Sequence, residues 1–316
     1  MLKIIRSAIG SPVSTGFLKF LKENDIYVIG TDITELAVGR LLCDKFYIVP
    51  KSNFEDKVID TYQQIIKSEN ASWIISGPED EIGVLLKNQK VLNSSLFHLP
   101  METFSIVTDK LELYKFLKEN TLLPQPQTEA LDLLNIKNFI NSQKVILKPA
   151  KGRGSRGIIF TPLSEIEYYM SKLSNVGYIV QEIVEGKEFT VDTLHDFQGK
   201  VLNIIPRERI AVDSGVSIIS RTTKNDQLIE MILTLSNKLK FCGANCFQFI
   251  KNEEEKYFLT DINPRFGGGS ILSLRASTTF KKNVLNLLKN NTGGLTYNNF
   301  DFEELTMLRG YEEYYV

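Results

Sequence analysis

Apolar and polar residues alternate along the first third of the chain with two different periods. Short apolar runs, typical of buried strands, occur at Lys3 to Ala8, Ile26 to Gly30, Lys45 to Val49 and Ser72 to Ser76. Between them, apolar residues recur with helical spacing at Thr15 to Glu23 and Phe54 to Lys67. Strands that alternate with helices in this way predict a parallel sheet with crossover helices.

This pattern predicts a Rossmann-like domain over residues 1–105. Gly10 and Asp32 suggest dinucleotide binding, but the G-x-G-x-x-G fingerprint is missing. A nicotinamide-dependent oxidoreductase is therefore a distant alternative. The segment Gly77-Pro78-Glu79-Asp80-Glu81 predicts a helix start with Pro78 at the first helical position and carboxylates in the first turn. A substrate-facing role for those carboxylates is the alternative.

The pattern changes after Pro100, and residues 106–316 mix strands with helices, which indicates a second, α+β domain. Asp109 and Glu112 form a capping box that opens a helix. Strands are predicted at Lys144 to Lys148, Gly157 to Phe160, Tyr178 to Glu182 and Phe189 to His195. Helices are predicted at Asp226 to Leu239 and Leu272 to Asn290.

Composition and charge narrow the classes of function. Of the 316 residues, 43% are hydrophobic and 24% are charged, which is typical of a globular protein rather than a disordered one. The 37 basic and 38 acidic residues give no basic excess for nucleic acid. No apolar run approaches the ~20 residues of a membrane helix, and charges interrupt the amino terminus before a signal peptide could form. We therefore expect a cytoplasmic protein with no nucleic-acid or membrane partner.

Cysteine and histidine are too scarce for thiolate or zinc chemistry. Cys43, Cys242 and Cys246 are expected to be buried structural residues in a reducing compartment. His98 and His195 are the only histidines, so a His-rich zinc site is excluded and a catalytic metal must take oxygen ligands. These observations favour magnesium.

A lysine and a glycine-rich loop form the first chemical motif. Lys148 ends a predicted strand, and Gly152, Gly154, Ser155 and Gly157 lie in the loop that follows. Glycines allow backbone N–H groups to approach phosphate oxygens, and lysine neutralises the phosphate charge. The loop is not a Walker A sequence, because no Gly-Lys-Ser/Thr closes it. A flexible hairpin without a ligand is the alternative.

The second motif consists of two apolar strands joined by a polar bend, Val180 to Asp192. Backbone groups of this bend can bind the edge of adenine, and Glu188 can accept hydrogen bonds from ribose hydroxyls. An ordinary surface hairpin is the alternative.

The third motif brings oxygen donors together on a predicted hairpin. Asp261 and Asn263 are two residues apart, so a strand directs both side chains to one face. If the hairpin closes symmetrically around Glu254 and Glu255, Gln248 lies opposite Asp261 and adds a third oxygen. Magnesium prefers such donors, completed by water and nucleotide phosphates. A buried polar hairpin without metal is the alternative.

Arginines and glycines near this hairpin are candidate anion-binding groups. Arg265 can brace a transferring phosphoryl group, and Gly267 to Gly269 lead into the next helix with free amides. Arg207, Arg209 and Arg221 are candidates for holding a substrate carboxylate, because the guanidinium fork matches carboxylate geometry. Surface ion pairs are the alternative for these three arginines.

In this order, the motifs resemble the ATP-grasp superfamily, most closely the carbamoyl-phosphate-synthetase-like branch of carboxylate–amine ligases. The resemblance covers nearly the whole chain. It implies that a Rossmann-like domain precedes an ATP-grasp domain of two α+β lobes, with adenine between them. The smaller lobe, with the glycine loop, is expected over about residues 120–187, and the remainder is the metal-binding lobe.

The resemblance also implies roles for particular residues. Contacts to ATP are expected from Lys110 and Lys148 at the phosphates or the adenine side, from the loop Gly152 to Gly157, from Gln181, Glu182, Ile183 and Val184 at adenine, and from Glu188 at ribose. Magnesium is expected at Gln248, Asp261 and Asn263, and Arg265 matches the family's arginine after the Asn-Pro pair.

Some residues depart from the family pattern. Asp261 stands where glutamate is more usual, and Gln248 where a carboxylate is commoner, so one magnesium ion is expected and a second is left open. Gly268 occupies the position of a basic substrate contact in carbamoyl-phosphate synthetases, so bicarbonate is not expected as the substrate.

The reaction that the resemblance implies is transfer of the γ-phosphate of ATP to a small-molecule carboxylate, followed by attack of an amine on the acyl phosphate. The product is an amide or peptide-like bond. A phosphotransferase, an acyl-phosphate-forming subunit and a nucleotide sensor without turnover are the alternatives. The sequence names neither the acid nor the amine, and a homodimer is left open.

Overall fold

The first sheet is parallel, as its alternating pattern predicts. The computed structural model describes residues 1–139, 142–152, 156–173 and 175–315. The strands of this sheet are β1 (Lys3–Ser7), β2 (Tyr27–Asp32), β3 (Lys45–Ile48), β4 (Trp73–Ile75) and β5 (Ser95–Leu96), in the spatial order β3-β2-β1-β4-β5. Its helices are α1 (Ser14–Lys22), α2 (Glu55–Glu69) and α3 (Glu79–Lys87). The predicted Rossmann-like arrangement fits this sheet.

The start of α3 lies one residue later than the sequence predicts. Pro78 precedes the helix, because its ψ angle of 131° is extended, and Glu79, Asp80 and Glu81 fill the first turn. Negative charge is favourable at this end of a helix. The carboxylate of Glu81 is buried and accepts a hydrogen bond from Ser7 at 2.5 Å.

The next segment forms a small antiparallel lobe. Helices α4 (Met101–Val107) and α5 (Lys110–Glu119) lead into it, and Asp109 caps α5 as predicted by accepting from the backbone N–H of Leu111 at 3.0 Å. The strands are β6 (Thr128–Ala130), β7 (Lys144–Pro149), β8 (Ile159–Pro162) and β9 (Tyr178–Glu182), in the order β6-β9-β7-β8, with helix α6 (Ile166–Leu173). Its core is separate and consists of Leu131, Phe139, Val145, Leu147, Ile166 and Val180.

The large lobe is built on a second antiparallel sheet. Its strands are β10 (Lys187–His195), β11 (Val201–Asp213), β12 (Val216–Thr222), β13 (Gly243–Lys251), β14 (Tyr257–Asn263) and β15 (Thr306–Leu308), in the order β14-β13-β10-β11-β12-β15. Its helices are α7 (Asp226–Ser236), α8 (Ser270–Ala276) and α9 (Thr278–Leu288). Short 3₁₀ turns elsewhere are Val38–Leu41, Leu131–Leu133, Ile136–Phe139, Leu163–Glu165 and Thr292–Gly294.

The single helix predicted from Leu272 to Asn290 is wrong, because Ser277 interrupts it. Ser277 has an extended backbone, with φ −127° and ψ 112°. Its hydroxyl accepts from the backbone N–H of Phe280 at 3.2 Å and so caps the second helix. Serine favours such a cap over a helix interior, since its side chain competes for backbone hydrogen bonds.

The first sheet and the large lobe share a hydrophobic core. One cluster contains Trp73 and Phe97 of the first domain together with Leu194 and Leu202 of β10 and β11. The indole Nε1–H of Trp73 also donates to the carbonyl of Leu288 at 2.8 Å. The interface between these two parts is therefore packed like an interior. Within the described ranges, no helix is long and apolar enough to cross a bilayer.

Candidate functional site

A cavity of about 680 Å³ lies where the three sheets approach one another. Its wall includes Arg6 of β1, Lys148 of β7, and Gln248 and Asp261 of the neighbouring strands β13 and β14. Both lobes and the first domain thus contribute side chains. Ligand pockets generally have volumes of roughly 300–1,000 Å³, so this cavity can hold a small molecule.

The oxygen donors of the hairpin converge on this cavity. Gln248 pairs with Asp261 across β13 and β14, as predicted. The turn itself is centred on Glu254, since Lys251 pairs with Tyr257. A bulge between Gln248 and Phe249 then shifts the register by one residue. The predicted pairing is therefore correct, but the bulge produces it rather than a symmetrical turn.

The donor set fits a hard cation. Asp261 supplies one carboxylate, Gln248 and Asn263 supply amide groups, and all three line the cavity. Magnesium in proteins is commonly held by one or two carboxylates, with water and phosphate oxygens completing its shell. The amide nitrogen of Asn263 lies 3.2 Å from Asp261 Oδ2, which ties these two side chains together.

Two lysines from the small-lobe side approach the same carboxylate. Lys110, the first residue of α5, places Nζ 4.0 Å from Asp261 Oδ1 and donates to the carbonyl of Gly152 at 2.9 Å. Lys148 on β7 is buried, and burial lowers the pKa of its ammonium group to about 8, with the charge of Lys110 acting in the same direction. The charge of Asp261 opposes this shift. Positive charge is therefore concentrated beside the oxygen donors.

The glycine loop begins beside these lysines. Gly152 lines the cavity, whereas Gly154 and Ser155 lie outside the described residues. Gly157 has a φ of +74°, and a Cβ there would lie 2.8 Å from the Tyr178 hydroxyl. Only glycine fits this position without strain.

Arg265 follows β14 and lines the same cavity. Its Nη2 donates to Asn263 Oδ1 at 2.8 Å and lies 3.6 Å from Glu79 Oε1 of the first domain. The adjacent Pro264 carbonyl lies 3.3 Å from Nδ1 of His98. The chain after β14 is thus held by contacts with the first domain.

A family model described as an ATP-grasp domain matches residues 107–269, which are 163 of the 316 residues. The chain belongs to the ATP-grasp family. The carbamoyl-phosphate synthase of Methanobrevibacter smithii is 22% identical over 285 residues, covering 84% of this chain and 75% of that protein. The chain also matches longer carbamoyl phosphate synthase large chains, of which it spans only about a quarter (26%).

Solved ATP-grasp structures share the fold. The biotin carboxylase domain of the Hydrogenobacter thermophilus 2-oxoglutarate carboxylase, solved with MgADP, ADP and bicarbonate, has a TM-score of 0.72 at 14% identity and covers 95% of this chain and 71% of that one. The L-amino acid ligase from Bacillus licheniformis has a TM-score of 0.69 at 16% identity, covering 93% and 77%. At these identities the likeness shows the fold alone, and it confirms the predicted fold class.

The segment expected to bind adenine in this ATP-grasp protein is occupied by internal contacts. The buried amide of Gln181 donates to Thr128 Oγ1 at 2.7 Å, and the backbone N–H of Glu182 donates to the Gln127 carbonyl at 2.9 Å. None of residues 181–184 is among the described residues that line the cavity. The adenine contacts of Gln181, Glu182, Ile183 and Val184 therefore stay a prediction.

A buried cluster of polar side chains surrounds Asp192, and two of its members, Arg207 and Cys246, line the cavity. Arg207 donates to Asp192 through Nε at 2.8 Å and Nη2 at 3.4 Å. Cys246, Ser270 and Ser273 donate to the same carboxylate at 2.9, 2.8 and 2.6 Å. Although burial opposes ionisation, the charge of Arg207 and these bonds hold the pKa of Asp192 below its ordinary value. The guanidinium group of Arg207, which was predicted to bind a substrate carboxylate, is therefore bonded to Asp192.

The glycine turn lies directly on this cluster. A Cβ on Gly269 would lie 2.5 Å from Arg207 Nη1, so Arg207 and the turn are in tight contact. The backbone N–H of Gly267 donates to Ser270 Oγ at 2.8 Å. The prediction that the turn offers only free amides is therefore wrong at Gly267, although Gly267 and Gly268 both line the cavity.

The other two candidate arginines differ in position. Arg209 lines the cavity, places Nη1 3.2 Å from Glu188 Oε2 and donates to the Gly215 carbonyl at 2.9 Å. Glu188, expected at ribose, also lines the cavity. Arg221 is exposed, pairs with Glu208 at 3.0 Å and is not among the described residues of the cavity wall. The structure therefore gives no support to Arg221 as a substrate contact, because its side chain lies outside the described cavity wall.

Arg6 lines the cavity and is a residue that the sequence analysis missed. It lies in β1, where a parallel strand buried on both faces is normally apolar. Its Nη1 donates to the carbonyls of Ser7 at 2.8 Å and Ile75 at 3.1 Å. A charged residue within the apolar run Lys3 to Ala8 was the signal that could have found it.

Proposed function

We propose that this protein is an ATP- and magnesium-dependent ligase that activates a substrate carboxylate as an acyl phosphate for attack by an amine. One observation carries the proposal. Gln248, Asp261 and Asn263 line the same cavity as Lys148, and Lys110 lies within 4.0 Å of Asp261. Membership of the ATP-grasp family supports the use of ATP.

The basic residues are suited to phosphoryl transfer. Charge develops on the phosphoryl oxygens during this reaction, so fixed positive groups near them lower the barrier. Lys110 and Lys148 provide such charge from the small-lobe side, and Arg265 provides it beyond Asn263. No protein nucleophile is needed, since the substrate carboxylate itself attacks the γ-phosphate.

The magnesium-binding residues would be Gln248, Asp261 and Asn263, and Asp261 is the carboxylate among them. Bound magnesium neutralises phosphate charge and orients the phosphates. The fold shared with an L-amino acid ligase supports amide or peptide-like bond formation as the second step.

The proposal is tested by a screen for substrate-dependent release of ADP and phosphate. Amino acids, dipeptides and sugar acids are supplied as acids and amines with MgATP. The variants Asp261→Ala and Lys148→Ala are expected to lose at least about 100-fold in stimulated turnover, because each removes charge stabilisation from the site. Glu254→Ala, on the exposed turn of the same hairpin, is the matched control and should keep wild-type turnover.

Two outcomes contradict the proposal. Normal turnover by Asp261→Ala would exclude the assigned metal site. Tight binding of MgATP with no turnover for any acid and amine pair would instead favour a nucleotide sensor. Circular dichroism establishes that each variant remains folded.

A further inference from the structure

Two arginines of the cavity wall each contain a buried donor without a partner. The Nε atoms of Arg6 and Arg265 are buried and form no hydrogen bond within the described part of the chain. Buried polar groups are nearly always paired, and a charged donor left unpaired is costly. Both residues line the cavity, one from the first domain and one beyond the metal-binding strand. Such a pair is suited to an anion that is supplied from outside the protein.

The carboxylate-binding edge of Arg6 includes Nε, which has no hydrogen-bond partner within the described residues. Nη1 is fixed by the carbonyls of Ser7 and Ile75, whereas Nε and Nη2 together form the other edge of the guanidinium. In Arg207 the equivalent edge, Nε with Nη2, holds the carboxylate of Asp192. Arginine binds carboxylates through such parallel N–H pairs. At its Nε, Arg6 therefore lacks the carboxylate partner that Arg207 has.

The nearby carboxylates of the protein do not fill this edge. Glu81 accepts hydrogen bonds from Ser7, Ser76 and Tyr62, which use both of its oxygens. Glu79 lies 3.6 Å from Nη2 of Arg265. It forms no hydrogen bond with the Nε atom of Arg6 or of Arg265. Burial lowers the pKa of Arg6 to about 10, and the charge of Arg265 acts in the same direction. The charge of Glu81 acts in the opposite direction. An anion bound near both arginines would relieve the repulsion between them.

We infer that Arg6 and Arg265 together bind the carboxylate of the acid substrate, so that the first domain forms part of the acid site. This inference rests on the proposed function. Arg265 bonds to Asn263, so a carboxylate held here would lie beside the residues assigned to magnesium and phosphate. A Cβ on Gly77 would lie 3.2 Å from Arg6 Nη1. Glycine there leaves the guanidinium room to shift toward the cavity and engage its ligand through Nε and Nη2.

Binding of simple anions to the full chain tests the inference. Thermal stabilisation by acetate, succinate and sulfate is titrated at constant ionic strength with saturating MgADP, which occupies the nucleotide site. Wild type and Arg221→Gln, an exposed arginine outside the cavity, should bind both carboxylates. Arg6→Gln should bind them at least about tenfold more weakly. Arg6→Lys should fall between, since a point charge replaces the fork.

Three results would overturn the inference. One is unchanged carboxylate affinity in Arg6→Gln or, if that variant does not fold, in Arg6→Lys. Another is stabilisation of wild type by sulfate and not by carboxylates, which would assign the site to a phosphate-bearing ligand. The third is an adventitious surface effect, recognised by equal stabilisation of every variant.

The acid-dependent ADP release assay separates this inference from the proposed function. Arg6→Gln should raise KM for the acid about tenfold and leave KM for ATP unchanged. An unchanged KM for the acid, with normal turnover, would sink the Arg6 assignment alone. If the protein shows no turnover but binds carboxylates in a way that requires Arg6, the proposed ligase function is refuted and the anion site is retained.

Discussion

Arg207 and Arg6 line the same cavity and have the same depth of burial, yet their surroundings differ. The two residues are 3% and 8% exposed. Arg207 has its charge matched by Asp192, and Cys246, Ser270 and Ser273 also donate to that carboxylate. Arg6 is fixed by two carbonyls and keeps an unpartnered Nε. Burial alone therefore does not separate a structural arginine from a ligand-binding one, whereas the presence of a matching acid does.

The largest expected effect comes from breaking the matched pair. Asp192→Asn leaves the charge of Arg207 buried without a counter-ion, and we expect the free energy of unfolding to fall by about 3–5 kcal/mol. Urea unfolding measures this loss. Glu23→Gln, which breaks the exposed pair with Arg275, is the control and should cost under about 1 kcal/mol. Equal losses in the two variants would show that the Asp192 cluster adds nothing beyond a surface pair.

Acid should destabilise the region around Arg6 and the region around Asp192, because each contains a buried histidine. Burial lowers the pKa of His98, near Arg6 and Arg265, and of His195, on the strand of Asp192, to about 3. The unfolded chain binds these protons near pH 6.5, so stability is complete above that pH and is lost as the pH falls toward 3. At pH 4 we expect a loss of roughly 3 kcal/mol for each histidine.

Urea unfolding at pH 7 and pH 4 measures the histidine effect. His98→Gln can keep neutral hydrogen bonds at that position and should remove about half of the acid sensitivity that these two groups cause. If the variant and wild type lose the same stability between these pH values, His98 is not neutral in the folded protein.

The smallest effect comes from adding one methyl group beside each arginine. In Gly269→Ala the new Cβ would lie 2.5 Å from Nη1 of Arg207, which its bonds to Asp192 hold in place. We expect a loss of about 1–3 kcal/mol from overpacking. In Gly77→Ala the distance to Arg6 is 3.2 Å, and a small shift suffices, so the loss should be under about 1 kcal/mol. Thermal unfolding compares the pair, and the reverse order would show that Arg6 is the more rigidly held residue.

Much of the site could be predicted because it depends on local sequence. The spacing of Asp261 and Asn263 places them on one strand face in any regular strand, and Lys148 ends a readable apolar run. The parallel sheet follows from the alternation of strands and helices for the same reason. The pairing of Gln248 with Asp261 was also correct, although the bulge that sets it was not foreseen.

The remaining features depend on contacts between distant segments. The environments differ among Arg207, Arg209 and Arg221. Strand pairing and the Asp192 cluster decide which of these arginines is buried, and sequence spacing alone cannot show this. The charge of Arg6 within an apolar run was visible in the sequence, but its contact with Gly77 and its place in the cavity wall follow only from the packing of β1. The break at Ser277 follows from a cap that competes with an otherwise helical pattern.

The indole of Trp73, bonded to the carbonyl of Leu288, has a consequence for how this chain can be divided. A fragment starting at residue 106 would lose Trp73 and Phe97 and would expose Leu194 and Leu202 to water. Exposed apolar patches of this kind promote aggregation. Any chimera with a relative must therefore exchange both sides of this contact together, even where only the ATP-grasp domain is wanted.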